Sequence, residues 1–511
     1  MQRISRYELA GLAAILILAA GLRLWGLGSK SFWVDELLAV ERSRSLRQAV
    51  ADCAENHEPP LRYYLVHYLA QLHPPELFTR LPSYLLGVAT IALLWWLVRA
   101  LFGVGAAMAS AVLLTLSPWH ILQCQDARMY AVMMFFWTLS LVLFFGALEK
   151  PTQALRWPAL AIVHDVNFYL SYLTVFVLAA EALTFGGWLV VRKWRARERF
   201  ALKPYAVGAL IFIGFFGAIT AAWFQPLVAL VARYTPLKVA TAQPAITAMT
   251  AGIPVGWPAE FNAQFFAALL DHLLLPGWPW RVVTLVGLSA GLSLCWQRNR
   301  TFVWIAALSF FVAMAAILFT DMRNFVAPRY VFHLLLFFLV ALAIAIVAPV
   351  EAILARARSK PLRTATAIVS AGIAGVAIYL AAPTLLIDIA CERQDWRGAC
   401  HYLAENAKPN GVILTGPWES HLAVLYYGEP ALTKDHVIRN CLTAERMWRE
   451  IEDAPADVGV WYVTWWANLP DEILVVLKTR MEPVVELPGL NGTIAIWKKR
   501  RPPETNTVAA P

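Results

Sequence analysis

Long apolar runs recur along most of the chain, and polar or charged residues separate them. An α-helix needs about 20 apolar residues to cross the hydrocarbon core of a bilayer. The pattern predicts about eleven transmembrane helices, at residues 9–27, 81–98, 104–122, 129–148, 155–172, 173–191, 206–226, 280–297, 302–319, 329–348 and 364–386. A shorter apolar patch at residues 262–275 is typical of a re-entrant or interfacial helix.

Basic residues cluster between the predicted helices, and their distribution predicts the orientation of the chain. The clusters are Arg3 and Arg6; Arg192, Lys193, Arg195, Arg197 and Arg199; Arg298 and Arg300; and Arg356, Arg358, Lys360 and Arg363. Cytoplasmic loops of membrane proteins are enriched in Lys and Arg, and with a cytoplasmic N-terminus and about eleven crossings every cluster falls on that side. We expect a multi-pass protein of the inner (cytoplasmic) membrane with a periplasmic or otherwise extracytoplasmic C-terminal part.

This topology places three larger segments outside the membrane. Residues 28–80 form a first loop, residues 227–279 form a second, and a C-terminal part follows residue 387. We expect a polytopic helical transmembrane domain over residues 1–386, a small α/β domain over 387–500 and a disordered tail over 501–511. In the α/β domain, strand-like runs alternate with helical stretches: strands at 412–415, 458–464 and 493–497, and helices at 418–427, 443–453 and 470–480.

The composition agrees with a membrane protein and excludes two other classes. Hydrophobic residues make up 59% and charged residues 15% of the 511 residues, against roughly 45–50% and 25% in soluble domains. A soluble fold cannot bury that much apolar surface, and a disordered chain is polar. The net charge of +9 is explained by cytoplasmic anchoring, so no nucleic-acid partner is expected. Of six cysteines, Cys391, Cys400 and Cys441 lie in the α/β domain and allow one disulfide bridge.

Two adjacent carboxylates, Asp35 and Glu36, open the first loop directly after Phe32 and Trp33. Aromatic residues are common at the membrane interface and need no further role. The acids are either solvated loop residues, or one of them is a general base whose pKa is raised by partial desolvation.

A second polar group surrounds Pro59 and Pro60 in the same loop. His57 and Glu58 precede the prolines, and Arg62 and Tyr63 follow them. His57 and Glu58 have the chemistry to ligate a divalent cation, although ordinary loop polarity explains the same residues. The sequence requires no cofactor beyond this optional metal ion.

Two more charged groups flank helices on the same predicted side of the membrane. Asp126 and Arg128 lie in the turn before the fourth span, next to Tyr130. Arg329 precedes Tyr330 at the start of the tenth span. Arg329 either extends its charge to the interface or binds a phosphate through its planar donors. Polar groups that converge on one face of several spans are typical of a functional site.

Taken in order, these motifs resemble bacterial glycosyltransferase family 39. Its relatives include protein O-mannosyltransferases, aminoarabinose–lipid A transferases and lipopolysaccharide-core galacturonosyltransferases. The resemblance covers most of residues 20–350, through Phe32–Glu36, His57–Tyr64, Arg80–Ser83, Ser117-Pro118 with Asp126–Tyr130, and Pro328–Tyr330.

The resemblance implies a GT-C fold, a polyprenyl-phosphate-linked sugar donor and an active site at the outer membrane face. It implies that Asp35 is the catalytic base, that Asp126 is the second catalytic acid, and that Arg128 and Arg329 bind the donor phosphate. The remaining pocket candidates are Glu36, His57, Glu58, Arg62, Tyr63, Tyr130 and Tyr330.

The chain departs from the relatives at two positions. Aminoarabinose transferases have Glu-Lys before the proline pair, where this chain has His57-Glu58. Many relatives have a histidine in the turn between the fifth and sixth helices, where this chain has Ser171-Tyr172, with His164 one or two turns earlier.

The sequence thus predicts a hexosyl or pentosyl transferase that moves a sugar to a hydroxyl of an envelope glycolipid or protein, with inversion. The alternative is a non-enzymatic transporter or flippase of lipid-linked sugars. Transporters usually have internal repeats and charges at the membrane midplane, whereas this sequence shows no duplication and has its charges at one face. Membrane lipid is an expected partner under either hypothesis.

Overall fold

The computed structural model describes most of the chain. The described residues are 4–56, 58–153, 155–196, 200–226, 228–229, 262–274, 276–319, 326–356, 379, 382–383, 385–387, 390–428, 430–455, 458–465, 469–490 and 492–500. The chain divides into two compact units. The first, the helical unit, comprises residues 1–27, 42–241 and 258–390; the second, the α/β unit, comprises residues 28–41, 242–257 and 391–511.

The described part of the helical unit consists mainly of helices. Its helices are α1 (Arg6–Leu24), α3 (Leu46–Asn56), α4 (Leu61–Leu69), α5 (Pro75–Phe102), α6 (Val104–Leu116), α7 (Pro118–Cys124), α8 (Tyr130–Glu149), α9 (Arg156–Leu170), α10 (Thr174–Ala196), α11 (Lys203–Thr220), α12 (Ala263–Leu273), α13 (Trp278–Arg298), α14 (Arg300–Leu318) and α15 (Leu334–Arg356). Helix α2 (Val34–Arg42) begins in the α/β unit.

The lengths and apolar character of these helices confirm a polytopic membrane protein. Within the described residues, seven helices are long and apolar enough to cross a membrane, and up to nine cross if each of two bent pairs is one span. The predicted span at 155–172 forms α9, which has only 15 residues. Most of the predicted span at 364–386 lies outside the described residues. The predicted number of about eleven crossings therefore stays a prediction.

Both bent pairs lie where the sequence interrupts an apolar run. Helices α6 and α7 meet at 63°, because Pro118 has no amide hydrogen to continue α6 and Ser117 caps α7 by accepting from the His120 amide. Helices α12 and α13 meet at 78°. Residues 263–273 of the apolar patch form the helix α12, and its predicted re-entrant or interfacial character stays a prediction.

Polar contacts identify one end of the helical unit, here called the basic end. Arg99 near the end of α5 pairs with Glu8 at the start of α1, at 2.7 Å. Arg298 at the end of α13 contacts the Phe102 carbonyl at 3.4 Å and Glu351 of α15 at 3.2 Å. Residues of three of the four predicted basic clusters, Arg6, Arg298 and Arg356, lie at these helix ends.

The opposite end of the bundle, here called the polar end, is fixed by a buried arginine. Arg23 in the last turn of α1 is fully buried and donates to the carbonyls of Leu114 and Thr115, at 2.9 and 3.2 Å. Its Nη2, which donates to Leu114, also lies 2.7 Å from His120 Nδ1. These carbonyls lose their helical acceptor role at the break before Pro118, so Arg23 satisfies them and ties α1 to the break.

The α/β unit contains one five-stranded sheet with the order β2-β1-β3-β5-β4. Strands β1, β2 and β3 are parallel, and β5 is antiparallel to β3 and β4. Its elements are α16 (Trp396–Asn406), β1 (Val412–Thr415), α17 (Trp418–Gly428), β2 (Val437–Asn440), α18 (Ala444–Glu452), β3 (Val460–Thr464), α19 (Asp471–Arg480), β4 (Met481–Leu487) and β5 (Ile494–Lys499). The predicted α/β alternation is confirmed, while β2, β4 and α16 are additions to it.

The core of the α/β unit explains this order. The central strand β3 is buried along its whole length, and residues such as Leu414, Tyr462, Met447 and Leu477 pack into one apolar cluster with it. The sequence allows one bridge among Cys391, Cys400 and Cys441, and in the structure all three are free thiols. Cys400 and Cys441 are buried as small apolar side chains instead.

Candidate active site

The polar end of the helical unit carries a cluster of charged side chains around Glu58. Helix α3 ends before this residue, and the Glu58 amide donates to the Cys53 carbonyl at 2.8 Å, which closes the turn. Pro59 and Pro60 then fix the backbone before α4 begins at Leu61. The carboxylate is therefore held on a short, stiff connection.

Two arginines and a tyrosine share the Glu58 carboxylate. Arg42 Nη1 lies 3.2 Å from Oε1, and Arg62 Nη2 lies 2.9 Å from Oε2. The Tyr63 hydroxyl also donates to Oε2 and accepts from Arg62. The Arg62 guanidinium lies over the Tyr63 ring, 4.5 Å from its centroid. Asp52 and Cys53 of α3 line the same narrow cleft.

The charges of this cluster fix its protonation states. Burial raises the pKa of Glu58, but Arg62, the Tyr63 hydroxyl, Arg42 and Arg128 together outweigh burial and hold that pKa below its usual value. Burial raises the pKa of Tyr63, and the opposing effect of Arg62 does not cancel it. At neutral pH Glu58 is therefore an anion and Tyr63 a neutral donor, so Glu58 serves as an anchor for cations and is a poor general base.

The turn before α8 brings Asp126, Arg128 and Tyr130 together. Asp126 is 1% exposed, and its Oδ1 accepts from the Arg128 amide at 2.9 Å. The Arg128 guanidinium lies 5.8 Å from the centroid of the Tyr130 ring and interacts electrostatically with Glu58. The structure thus connects two groups that the sequence separates by about 70 residues, in keeping with convergence at a functional site.

Arg329 and Tyr330 lie in a short 3-10 turn, Pro328–Val331, at the start of α15. The Arg329 guanidinium is 5.8 Å from the Tyr330 ring centroid. The buried Phe332 that follows contacts Trp119 of α7 at a centroid distance of 4.9 Å. This contact brings the turn against α7, the helix that leads to Asp126.

Asp35 and Glu36 lie in the α/β unit, in the first turn of α2. Glu36 is fully buried, and its Oε2 accepts from the Trp33 amide at 3.3 Å, so this carboxylate helps to cap its own helix. Asp35 is half-buried and interacts with Glu419 at the start of α17. Burial raises the pKa of Glu419, and the negative charge of Asp35 adds to the increase.

Sequence reasoning missed Arg42, Glu419 and the buried Arg23. The sequence gives a weak indication of Arg42, since Arg42 ends helix α2 and Asp35 lies in the first turn of the same helix. No sequence pattern indicates Glu419, because Asp35, with which it interacts, is distant in the sequence.

The metal prediction receives no support from Glu58, whose two oxygens already accept from cations and a hydroxyl. His57 lies outside the described residues. Among the residues that the structure describes, no group of three or more His, Cys, Asp or Glu side chains has the arrangement of a metal site.

The predicted departure at Ser171-Tyr172 also has a structural counterpart. Tyr172 lies in the turn between α9 and α10. Burial raises its pKa to about 12, and the negative charges of Cys53, Tyr169 and Glu58 in their ionised forms add to the increase. Tyr172 therefore lies near the Glu58 cluster. His164 instead points between helices, where its Nε2 is 2.9 Å from Glu181 Oε2.

Comparison with protein families supports the resemblance drawn from the motifs. The sequence profile of the dolichyl-phosphate-mannose-protein mannosyltransferase family matches residues 57–237. This segment contains Glu58, Arg62, Tyr63, Asp126 and Arg128. No curated protein sequence matches the chain.

Solved structures with the same fold include two membrane glycosyltransferases. ArnT from Cupriavidus metallidurans bound to undecaprenyl phosphate aligns at a TM-score of 0.52 and 13% identity, over 99% of this chain and 99% of ArnT. The oligosaccharyltransferase AglB from Archaeoglobus fulgidus, in complex with an inhibitory peptide and a dolichol-phosphate, aligns at 0.52 and 13%, over 99% of this chain and 75% of AglB. The chain therefore has the GT-C fold predicted from the motifs.

Glu58→Gln tests whether this carboxylate holds the cluster together. The variant leaves Arg42 and Arg62 without their anion, so we expect the free energy of unfolding to fall by about 1–3 kcal/mol at pH 7. Thermal unfolding in detergent measures it. Glu405→Gln is the control, because Glu405 and His401 form an exposed pair of the kind that contributes about 0–1 kcal/mol.

The contribution of Glu58 to the free energy of unfolding should also change with pH in a defined direction. The folded pKa of Glu58 is lower than its ordinary value of 4.5, so its contribution is fully present above that pH and is lost as the pH falls through the folded pKa. The stability difference between wild type and Glu58→Gln should be constant at neutral pH and shrink in acid below 4.5. A difference that grows in acid would show that Glu58 does not anchor the cations.

Proposed function

We propose that this chain of GT-C fold is an integral membrane glycosyltransferase that moves a sugar from a polyprenyl-phosphate-linked donor to a hydroxyl of a cell-envelope acceptor. The observation that carries the proposal is the cationic cluster at the polar end. Arg42, Arg62 and Arg128 act on one carboxylate there, and Arg62 and Arg128 lie in the segment that the mannosyltransferase profile matches. Guanidinium groups gathered in this way suit a phosphate ligand.

The orientation follows from the basic end. Cytoplasmic loops are rich in Lys and Arg, so the basic end faces the cytoplasm and the polar end faces outward. Nucleotide sugars are cytoplasmic, and an outward site therefore requires a sugar carried on a lipid. ArnT and AglB were solved with undecaprenyl phosphate and a dolichol-phosphate, which supports a polyprenyl phosphate carrier here.

Arg128 and Arg329 neutralise the donor phosphate in this proposal. The phosphate leaves with its bonding electrons when the bond between it and the anomeric carbon breaks, so it needs charge stabilisation more than protonation. Asp126 fixes the Arg128 turn through the Arg128 amide and is the second catalytic acid. Tyr130 and Tyr330 support the two guanidinium groups through their ring faces.

Asp35 acts as the general base. It accepts the proton of the acceptor hydroxyl while that oxygen bonds to the anomeric carbon from the face opposite the phosphate. This single displacement inverts the anomeric configuration and releases polyprenyl phosphate. The sugar is a hexose or pentose, and the acceptor is a glycolipid or a protein of the envelope. A glycosidase would need two carboxylates on either side of a glycosidic bond, whereas in this proposal Asp126 bonds the Arg128 amide beside the donor phosphate and Asp35 alone takes a proton.

Asp35→Asn tests the proposed base. The amide cannot accept the proton, so transfer should fall by about 10²–10⁴-fold. Mass spectrometry of envelope glycolipids and glycoproteins measures it in a deletion strain that expresses wild type, Asp35→Asn or the exposed control Glu405→Gln at equal membrane levels. Loss of one sugar from one glycan in the Asp35 variant alone identifies the acceptor class. If the glycans of Asp35→Asn equal those of wild type while deletion of the protein still alters the envelope, Asp35 is not the base. The transporter hypothesis is then favoured.

Arg128→Met tests phosphate binding. Removal of a charge-assisted contact to the donor should lower kcat/KM by about 10–100-fold, mainly through KM for the lipid-linked donor. Arg128→Lys should recover part of the loss because it keeps the charge without the planar fork. Arg192→Met, the same change at an arginine near the end of α10 that lies over the Trp188 ring, is the matched control. An unchanged donor KM in Arg128→Met would remove Arg128 from the phosphate site.

A further inference from the structure

The segment that leads into α2 is held by side chains from the far end of the chain. Four successive backbone amides, those of residues 31–34, each donate to a side-chain oxygen. The Trp33 amide donates to Glu36 within the same helix. The other three acceptors all come from the part of the chain after residue 390: Glu392 at 3.0 Å, Tyr427 at 2.6 Å and Gln394 at 3.0 Å.

Gln394 completes the N-terminus of α2. The first amides of a helix have no intrahelical acceptor and need one from elsewhere, and Val34 is the first residue of α2. Gln394 Oε1 accepts from Val34 and also from Trp396 Nε1 at 3.0 Å. Both Gln394 and Trp396 are fully buried, so the second bond fixes the amide group that caps the helix.

The contact is reciprocal, since the loop segment also accepts hydrogen bonds. The Arg397 amide, at the start of α16, donates to Ser31 Oγ at 3.2 Å. The Arg397 guanidinium donates to the Ser29 carbonyl at 2.6 Å and lies over the Tyr427 ring. Phe32 packs edge-on against Tyr426. The segment is thus bound on both its donors and its acceptors.

Asp35 is the residue directly after the capped amide. A catalytic group must be held in place closely, because a displacement of about 1 Å costs on the order of 10²-fold in rate. A short helix of nine residues is marginal by itself in water. We propose that Gln394 is a positioning residue, which caps α2 from the C-terminal domain and so holds the Asp35 carboxylate in its reactive place. The inference rests on the proposed role of Asp35 as the base.

Gln394→Met tests this, because methionine has a similar length and no acceptor for the Val34 amide. The assay uses the full-length protein in lipid nanodiscs, with undecaprenyl-phosphate-linked sugars from the host and envelope extract of the deletion strain as acceptor. We expect kcat to fall by about 10–100-fold while the donor KM stays unchanged. Gln394→Glu keeps the acceptor oxygen, and its kcat should stay within a few-fold of wild type.

Two readouts separate positioning from a general loss of structure. Hydrogen exchange of the peptide covering residues 29–42 should accelerate in Gln394→Met but not in Gln394→Glu, with exchange in the sheet unchanged. In the Asp35→Asn background, Gln394→Met should cause no further loss of kcat, because the base that it positions is already gone. If Gln394→Met does not reach the membrane, Tyr427→Phe removes the acceptor of the Phe32 amide and should lower kcat by about five-fold.

The outcomes distinguish this inference from the proposed function. A wild-type kcat in Gln394→Met, beside an inactive Asp35→Asn, overturns the inference alone. An equal further loss in the Asp35→Asn background also overturns it, since Gln394 would then act elsewhere. Full activity of Asp35→Asn overturns both, because no base would remain to be positioned.

Discussion

The helical unit holds charged side chains at one end of an apolar bundle, and such side chains need partners of opposite charge or hydrogen bonds. Glu58 meets this constraint, since its carboxylate accepts from Arg42, Arg62 and Tyr63 and also attracts Arg128. An isolated buried guanidinium is costly, whereas a group of them around one anion is tolerated. The same arrangement gathers several guanidinium groups in one place, and in the proposed function an anionic lipid headgroup binds to such groups.

A second constraint operates in the α/β unit, where a short helix needs an external cap. The residues that supply it, Glu392, Gln394 and Tyr427, lie more than 350 residues along the chain from α2. These hydrogen bonds explain why loop residues 28–41 belong to the compact α/β unit. The C-terminal sheet domain therefore stabilises the segment that carries Asp35.

The sequence predicts the bounds of helices and strands better than it predicts which side chains contact one another. Apolar runs mark helices such as α8 and α13 to within a few residues, because lipid selects for length and hydrophobicity. The sequence predicts the buried strands β1 and β3 to within a few residues as well. Strand β2 was missed since it is short and half-exposed, and β4 since Pro483 interrupts its edge. The electrostatic effect of Arg128 on Glu58 and the hydrogen bond between Gln394 and Val34 join residues that no local pattern connects.

The central claim is that a sugar leaves its lipid phosphate at this protein. The most direct measurement uses proteoliposomes of the full-length protein with a polyprenyl-phosphate-linked sugar that carries separate labels on sugar and phosphate, plus envelope acceptor. The account predicts that each sugar found on acceptor is matched by one freed polyprenyl phosphate. Donor that crosses the bilayer with both labels still joined, and no labelled acceptor, would contradict the account and identify a transporter.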